Sequence, residues 1–225
     1  MFYNLKIQKS IDYKYLLCNT RLKYKRNKRK DRFNWATNEN KLDNSISRAK
    51  SNIFNIASFN KFEYFYTQTI NNNYDRKDLK KLVENFSQIT RNLRKTSNDN
   101  FFYLIIPELH EDQKNWHLHG FLSKAYSKYA YINKNGYLSL SCFDKIGFNS
   151  ISKIKNYSAC VKYMTEYITK DLAKDRKKGD RLYYCSNGLA RENIIDNLIF
   201  SQIPPVHFDF KSEFCFKTTL DQNKY

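Results

Sequence analysis

Residues 101–122, FFYLIIPELHEDQKNWHLHGFL, hold two apolar runs of strand length around a polar connection. FFYLIIP (Phe101 to Pro107) and WHLHGFL (Trp116 to Leu122) are joined by ELHEDQKN, the pattern of a hairpin with a longer loop. In a strand, residues i and i+2 point to the same face, so His117 and His119 share one side and Leu118 turns to the core. Two neutral imidazoles side by side suit a divalent metal, and a third ligand can come from the partner strand. Glu108, at the end of the first run, is the best candidate, with His110 and Glu111 in the loop as alternatives. Two histidines and one carboxylate also describe a non-haem iron oxygenase site, so this set alone does not choose a reaction.

Upstream, FEYFYTQTI alternates Phe62, Tyr64, Tyr66, Gln68 and Ile70 against Glu63, Phe65, Thr67 and Thr69, a strand by period and by aromatic content. Asn71 to Asn73 end it. Leu79, Leu82, Val83, Phe86, Ile89 and Leu93 then fall on one helical face, with Asp75 as the expected N-cap. A short helix from Ser47 precedes the strand. Downstream, the pattern predicts a strand around Tyr137 to Cys142, a helix over 156–174, a strand at LYYCS (Leu182 to Ser186) and a terminal strand or hairpin in VHFDFKSEFCFKTT. The order β-α-β-β, then α, then β predicts an α+β fold with a single mainly antiparallel sheet and packed helices.

The chain has 225 residues, with 40 Lys+Arg against 22 Asp+Glu and a formal net charge of +18. Such a balance favours a polyanionic partner and disfavours an oxygenase for small molecules. Charge concentrates in RLKYKRNKRKDR (Arg21 to Arg32), where Lys23, Lys25, Arg26, Lys28, Arg29 and Lys30 are candidate phosphate contacts. Residues 1–46 are therefore expected to form a basic N-terminal arm, and residues 47–225 one domain. Five Gly leave nothing for a phosphate-cradling glycine loop, so no nucleotide cofactor is expected. The five cysteines are never spaced C-x-x-C, which speaks against a zinc knuckle. No run reaches the ~18 apolar residues of a membrane span and the start lacks a signal peptide's apolar run, so a cytoplasmic protein is expected.

In the segment YMTEYITK, at about 100° per residue, Tyr163, Tyr167 and Lys170 fall at roughly 0°, 40° and −20°, one narrow stripe. Tyr157, Val161, Met164, Ile168 and Leu172 form a separate apolar stripe about 130° away. A phenol has a pKa near 10, so as a nucleophile at neutral pH it needs a cation close by. Lys170 and a divalent ion would supply one.

FEYFYTQTI, YLIIPELHEDQKNWHLHGFL and YMTEYITKDL, in this order, resemble the three motifs of the rolling-circle replication initiators called HUH endonucleases. The chain is most similar to phage and plasmid replication-associated proteins of the filamentous-phage gene II type, over about Ser47 to Leu189. The resemblance implies a ferredoxin-like replication endonuclease domain in which Glu108, His117 and His119 hold Mg²⁺ or Mn²⁺. It further implies that Tyr167 attacks single-stranded or hairpin origin DNA, leaving a 5′-phosphotyrosine and a free 3′-OH. Tyr163 would make a second cleavage or assist termination, and Lys170 would balance charge near the phosphate. Members often carry Lys where this chain has Glu166, a departure that bears on Tyr163 more than on Tyr167. Thr67 and Thr69, in the first motif, would be scaffold or contact DNA. With no motor of its own, such a nickase and strand transferase would rely on a host helicase and DNA polymerase. The alternatives are a non-catalytic DNA-binding replication regulator, or a transposase of the same superfamily.

Overall fold

The computed structural model describes residues 2–9, 14–21, 38–71, 75–97, 100–109, 115–168, 181–191, 194–200, 210–211 and 215–220. Contacts divide the chain into two units: residues 1–38, 58–60 and 190–225, and residues 39–57 and 61–189. The first holds a five-stranded antiparallel sheet of order β10-β1-β2-β12-β11, formed by β1 (Phe2–Lys9), β2 (Lys14–Arg21), β10 (Ile194–Phe200), β11 (Phe210–Lys211) and β12 (Cys215–Leu220). The division thus differs from the boundary expected at 46/47. The basic run drew the whole N-terminal stretch into one arm, although alternation in FYNLKIQK is strand-like and β1 pairs with β10 from Tyr3↔Phe200 onward. Of the expected arm, Lys23, Lys25, Arg26, Lys28, Arg29 and Lys30 lie outside the described residues. The terminal hairpin expected in VHFDFKSEFCFKTT is present as β11 and β12.

The second unit has the α+β architecture expected from the sequence. Its sheet, of order β8-β3-β5-β4-β9, is antiparallel throughout and consists of β3 (Tyr64–Thr69), β4 (Tyr103–Leu109), β5 (Trp116–Leu122), β8 (Asn149–Lys153) and β9 (Tyr184–Cys185). A separate small hairpin joins β6 (Ala130–Ile132) to β7 (Leu138–Leu140). The edge strand β8 was not foreseen, because NSISK offers only five residues of weak alternation.

Register assigns the faces. Phe65, Thr67 and Thr69 of β3 pair with Phe121, His119 and His117 of β5, which pair in turn with Leu104, Ile106 and Glu108 of β4. These nine residues occupy one face, and Tyr66, Gln68, Ile105 and Leu118 occupy the other, all four fully buried. Helix α2 (Leu79–Ser97) covers that second face, with Phe86 set against Tyr66 and Tyr103 at ring distances of 5.7 and 5.0 Å. Burying such a ring contributes about 1.5–3 kcal/mol. The N-terminal turn of α2 is capped by Asp78, whose carboxylate accepts from the Lys81 N–H at 2.9 Å; Asp75, the expected cap, accepts from Lys77 in the preceding turn. Gln68 stays satisfied inside the core, since its Oε1 accepts from the Tyr66 hydroxyl and its Nε2 donates to the Thr69 and Phe148 carbonyls.

The face bearing the histidines is covered by α3 (Tyr157–Glu166), which Asn156 caps by accepting from the Ala159 N–H at 3.0 Å. Tyr157 stacks against Phe121 at 6.0 Å and donates to the Ala57 carbonyl of α1 (Asn38–Phe59) at 2.7 Å. The apolar stripe foreseen on this helix is buried at Val161, Met164 and Ile168. The helix ends at Glu166, short of the expected 174, with Tyr167 as its C-cap; Thr165 and Ile168 around this end are β-branched residues of lower helix propensity.

Gly120, next to His119 in the central strand, has no room for a side chain. A Cβ there would lie 2.2 Å from the Leu104 carbonyl oxygen and 2.9 Å from the Ile105 Cα. Gly120→Ala is therefore expected to destabilise the protein by about 3 kcal/mol, the upper end for overpacking, because the obstruction is backbone. Denaturant unfolding of the variant checks this, and an unchanged midpoint would refute the close approach.

Candidate active site

His119 is the centre of the cluster on the α3 side of the sheet. Its Nε2 lies 2.8 Å from Oε2 of Glu108, one strand over, and its Nδ1 lies 3.4 Å from the Thr67 hydroxyl on the opposite neighbour. The ring is thus held on both edges by side chains that the strand register delivers. His119 is largely buried, its side chain 13% exposed, whereas Glu108 is 38% exposed. His117, two residues back and paired with Glu108 across the strands, places its ring 6.4 Å from His119 and nearly parallel to it.

Tyr167 stacks directly on His119, with ring centroids 4.5 Å apart and planes within 5°. Its hydroxyl donates a short hydrogen bond to the Tyr163 hydroxyl one helical turn earlier. Tyr163 is half exposed, and its ring tilts against Phe65 at 5.9 Å. Phe65 also borders His119 at 6.3 Å and Phe121 at 6.0 Å, so it joins the sheet to the tyrosine pair. The expectation that Tyr163 and Tyr167 share a stripe facing the histidines agrees with these contacts. Lys170, expected on the same stripe, lies outside the described residues, as do His110 and Glu111.

Electrostatics at Tyr167 run against a free phenolate. Burial raises its pKa well above the ordinary tyrosine value, and the hydrogen bond to Tyr163 and the negative charges of Glu108 and Glu166 push the same way. The protonated phenol is the favoured form here, and a nearby cation would reverse the balance.

The three expected ligands share one face, and their chemistry, two imidazoles and a carboxylate, fits a divalent cation. Their arrangement is that of a hydrogen-bonded pair with a third group alongside: among the described residues, no three His, Cys, Asp or Glu side chains converge as a metal cluster. The His119 Nε2 that would ligate a metal is engaged with Glu108. Binding a cation would replace that contact, turning the carboxylate from the acceptor of the ring into a fellow ligand.

Phe65 was missed as a site residue by sequence reasoning, although a signal existed. In FEYFYTQTI it is the one aromatic residue on the side of the alternation otherwise occupied by Glu63, Thr67 and Thr69. A large ring among polar residues on a strand face marks either a second packed layer or a contact surface. Thr69, expected as a possible DNA contact, pairs with His117 in the same ladder.

An antiparallel sheet presenting a histidine pair and a carboxylate to two helix-borne tyrosines defines the class: a protein with a tyrosine-centred site for phosphate chemistry. Residues 63–172, the segment that contains every one of these groups, match the family of replication-associated proteins that unites ORF2 with the gene II protein, and by this segment the chain belongs with those phage and plasmid replication initiators. No curated protein and no solved structure matches the chain. Among the described residues no helix is long and apolar enough to cross a membrane.

Because the Tyr167 ring makes the stacking contact and its hydroxyl reaches only Tyr163, Tyr167→Phe is expected to keep the fold. Its unfolding free energy should stay within about 1 kcal/mol of the parent, the usual worth of one hydrogen bond. A larger loss on thermal or denaturant unfolding would make the hydroxyl a structural group.

Proposed function

We propose that this replication initiator nicks and rejoins single-stranded or hairpin origin DNA through Tyr167, with Glu108, His117 and His119 as the ligands of Mg²⁺ or Mn²⁺. The observation that carries this reading is the stack of Tyr167 on His119, which sets a phenol beside the imidazole bonded to Glu108. A protein that only bound DNA would have no use for a buried tyrosine poised over a histidine and carboxylate.

In the reaction, the Tyr167 oxygen forms a bond to the scissile phosphorus as the bond from phosphorus to the 3′-oxygen breaks. The phenol proton, shared with Tyr163 before attack, must leave, and the departing 3′-oxygen takes up a proton to become the hydroxyl that a polymerase extends. A divalent cation held by the carboxylate and imidazoles would polarise the phosphate and offset the charge that burial disfavours on Tyr167. Thr67 fixes the His119 ring from behind, acting on a ligand rather than on DNA. Tyr163 accepts the Tyr167 hydrogen bond and, being half exposed, is available as the second nucleophile. Lys170 would balance charge at the phosphate, and the basic run from Lys23 to Lys30 would add contacts to the DNA backbone. The net charge of +18 suits such a substrate, because each cation that neutralises a phosphate releases a counterion. Strand separation and extension would fall to a host helicase and polymerase.

Incubation with fluorescent origin-derived single strands and Mn²⁺, resolved on a denaturing gel, tests the proposal. A metal-dependent protein-DNA adduct is expected from the parent and none from Tyr167→Phe, which should still bind DNA. Salt-sensitive binding without any adduct would favour a regulator that does not cut. Thr67→Val is expected to weaken Mn²⁺ binding by about tenfold, the lower end for losing a group that orients a metal ligand. Calorimetric titration showing unchanged affinity would remove Thr67 from that role.

A further inference from the structure

Beside the tyrosine pair, between the edge strand β8 and the N-terminal half of α3, the surface opens into a groove of about 420 Å³. That volume lies within the range of small-ligand sites, about 300–1,000 Å³. Phe65 and Tyr163 line one end of it, and Lys153, Lys155 and Cys160 line the rest. Both lysines are exposed and make no ion pair among the described residues. We propose that this groove seats a nucleotide of the single strand flanking the scissile phosphate, with Tyr163 and Phe65 against the base and Lys153 and Lys155 on the backbone phosphates. The proposal rests on the nicking function above and adds where the strand runs.

Three observations converge on it. First, the groove is continuous with the nucleophile, because Tyr163 both lines it and accepts the hydrogen bond of Tyr167. A strand whose phosphate is at Tyr167 therefore has its next residue within reach of Tyr163 and Phe65. Second, the lining pairs aromatic rings with unpaired cations, the combination that binds single strands by stacking and by backbone charge. Third, β8 is an edge strand whose outer side has no sheet partner among the described residues, which leaves the lysine-bearing side of the groove open to an extended chain. The far face of the sheet, packed under α2, offers no such continuity with Tyr167.

Two measurements on the full-length protein decide the matter. Binding of a fluorescent single-stranded oligonucleotide, followed by anisotropy across a salt series, should show a slope shallower by about 1.4 in the Lys153→Gln/Lys155→Gln double variant, about 0.7 per lysine for single strands. The control pair Lys134→Gln/Lys145→Gln, exposed and away from the groove, should leave the slope near that of the parent. Equal losses in both pairs, or none in the first, would overturn the proposal. Alkylation of Cys160 followed by mass spectrometry should be slowed by bound oligonucleotide while alkylation of Cys142 is not; undiminished labelling of Cys160 under saturating DNA would also overturn it. Should the parent still form its adduct with DNA when the groove fails these tests, the nicking function stands and only the path is wrong. A parent that binds no single strand would defeat both.

Discussion

The pairing of β5 with β3 and β4 determines which side chains can meet at the site. His119 faces Thr67 on one neighbour and shares its ladder with Ile106 on the other, while Glu108 comes level with His117 and reaches diagonally to His119. Because side chains alternate with period two, a slip of one residue would carry both histidines into the core under α2 and bring Leu118 to the open face. Several features oppose such a slip. Leu118 is fully buried, as are Tyr66 and Ile105 around it, and Gly120 allows the β4 backbone an approach that any other residue would block. The core thus enforces the site: apolar burial on one face fixes the geometry of polar groups on the other.

On the open face the groups are arranged so that acid and base needs conflict until a cation arrives. Carboxylates and burial together keep Tyr167 protonated, and the one strong contact of Glu108 is with His119. The aromatic scaffold does not share this sensitivity. Phe65, Phe121, Tyr157 and Tyr163 hold α3 on the sheet through ring contacts of 5.9 to 6.0 Å, which are indifferent to charge. Position and protonation of the nucleophile are therefore governed by separate sets of residues.

Much of the site-bearing unit was legible in the sequence because its signals are local. Strand alternation in FEYFYTQTI and WHLHGFL, and the helical spacing from Leu79 to Leu93, led to β3, β5 and α2 with the correct faces. The tyrosine stripe was readable for the same reason, since helical geometry alone aligns positions 163 and 167. What escaped was non-local or weakly patterned. Strand β8 is short and half polar, and β1 and β2 are completed by partners near the other end of the chain, which no window of sequence can reveal. The contact of Thr67 with His119 also depends on inter-strand register, so Thr67 read only as scaffold or a DNA contact.

The pairing of distant segments in the terminal sheet sets an order of assembly. Every partner of the site-bearing sheet is encoded between Tyr64 and Cys185, whereas β1 awaits β10 and β2 awaits β12. Closing loops of that length costs entropy that grows only with the logarithm of length, but it demands that both ends already exist. On a ribosome the chain therefore has a complete set of strands for its chemical centre while the N-terminal hairpin is still missing its neighbours. Synthesis of the later residues finishes the terminal sheet rather than the catalytic one, and a message cut short after Cys185 would yield the second without the first.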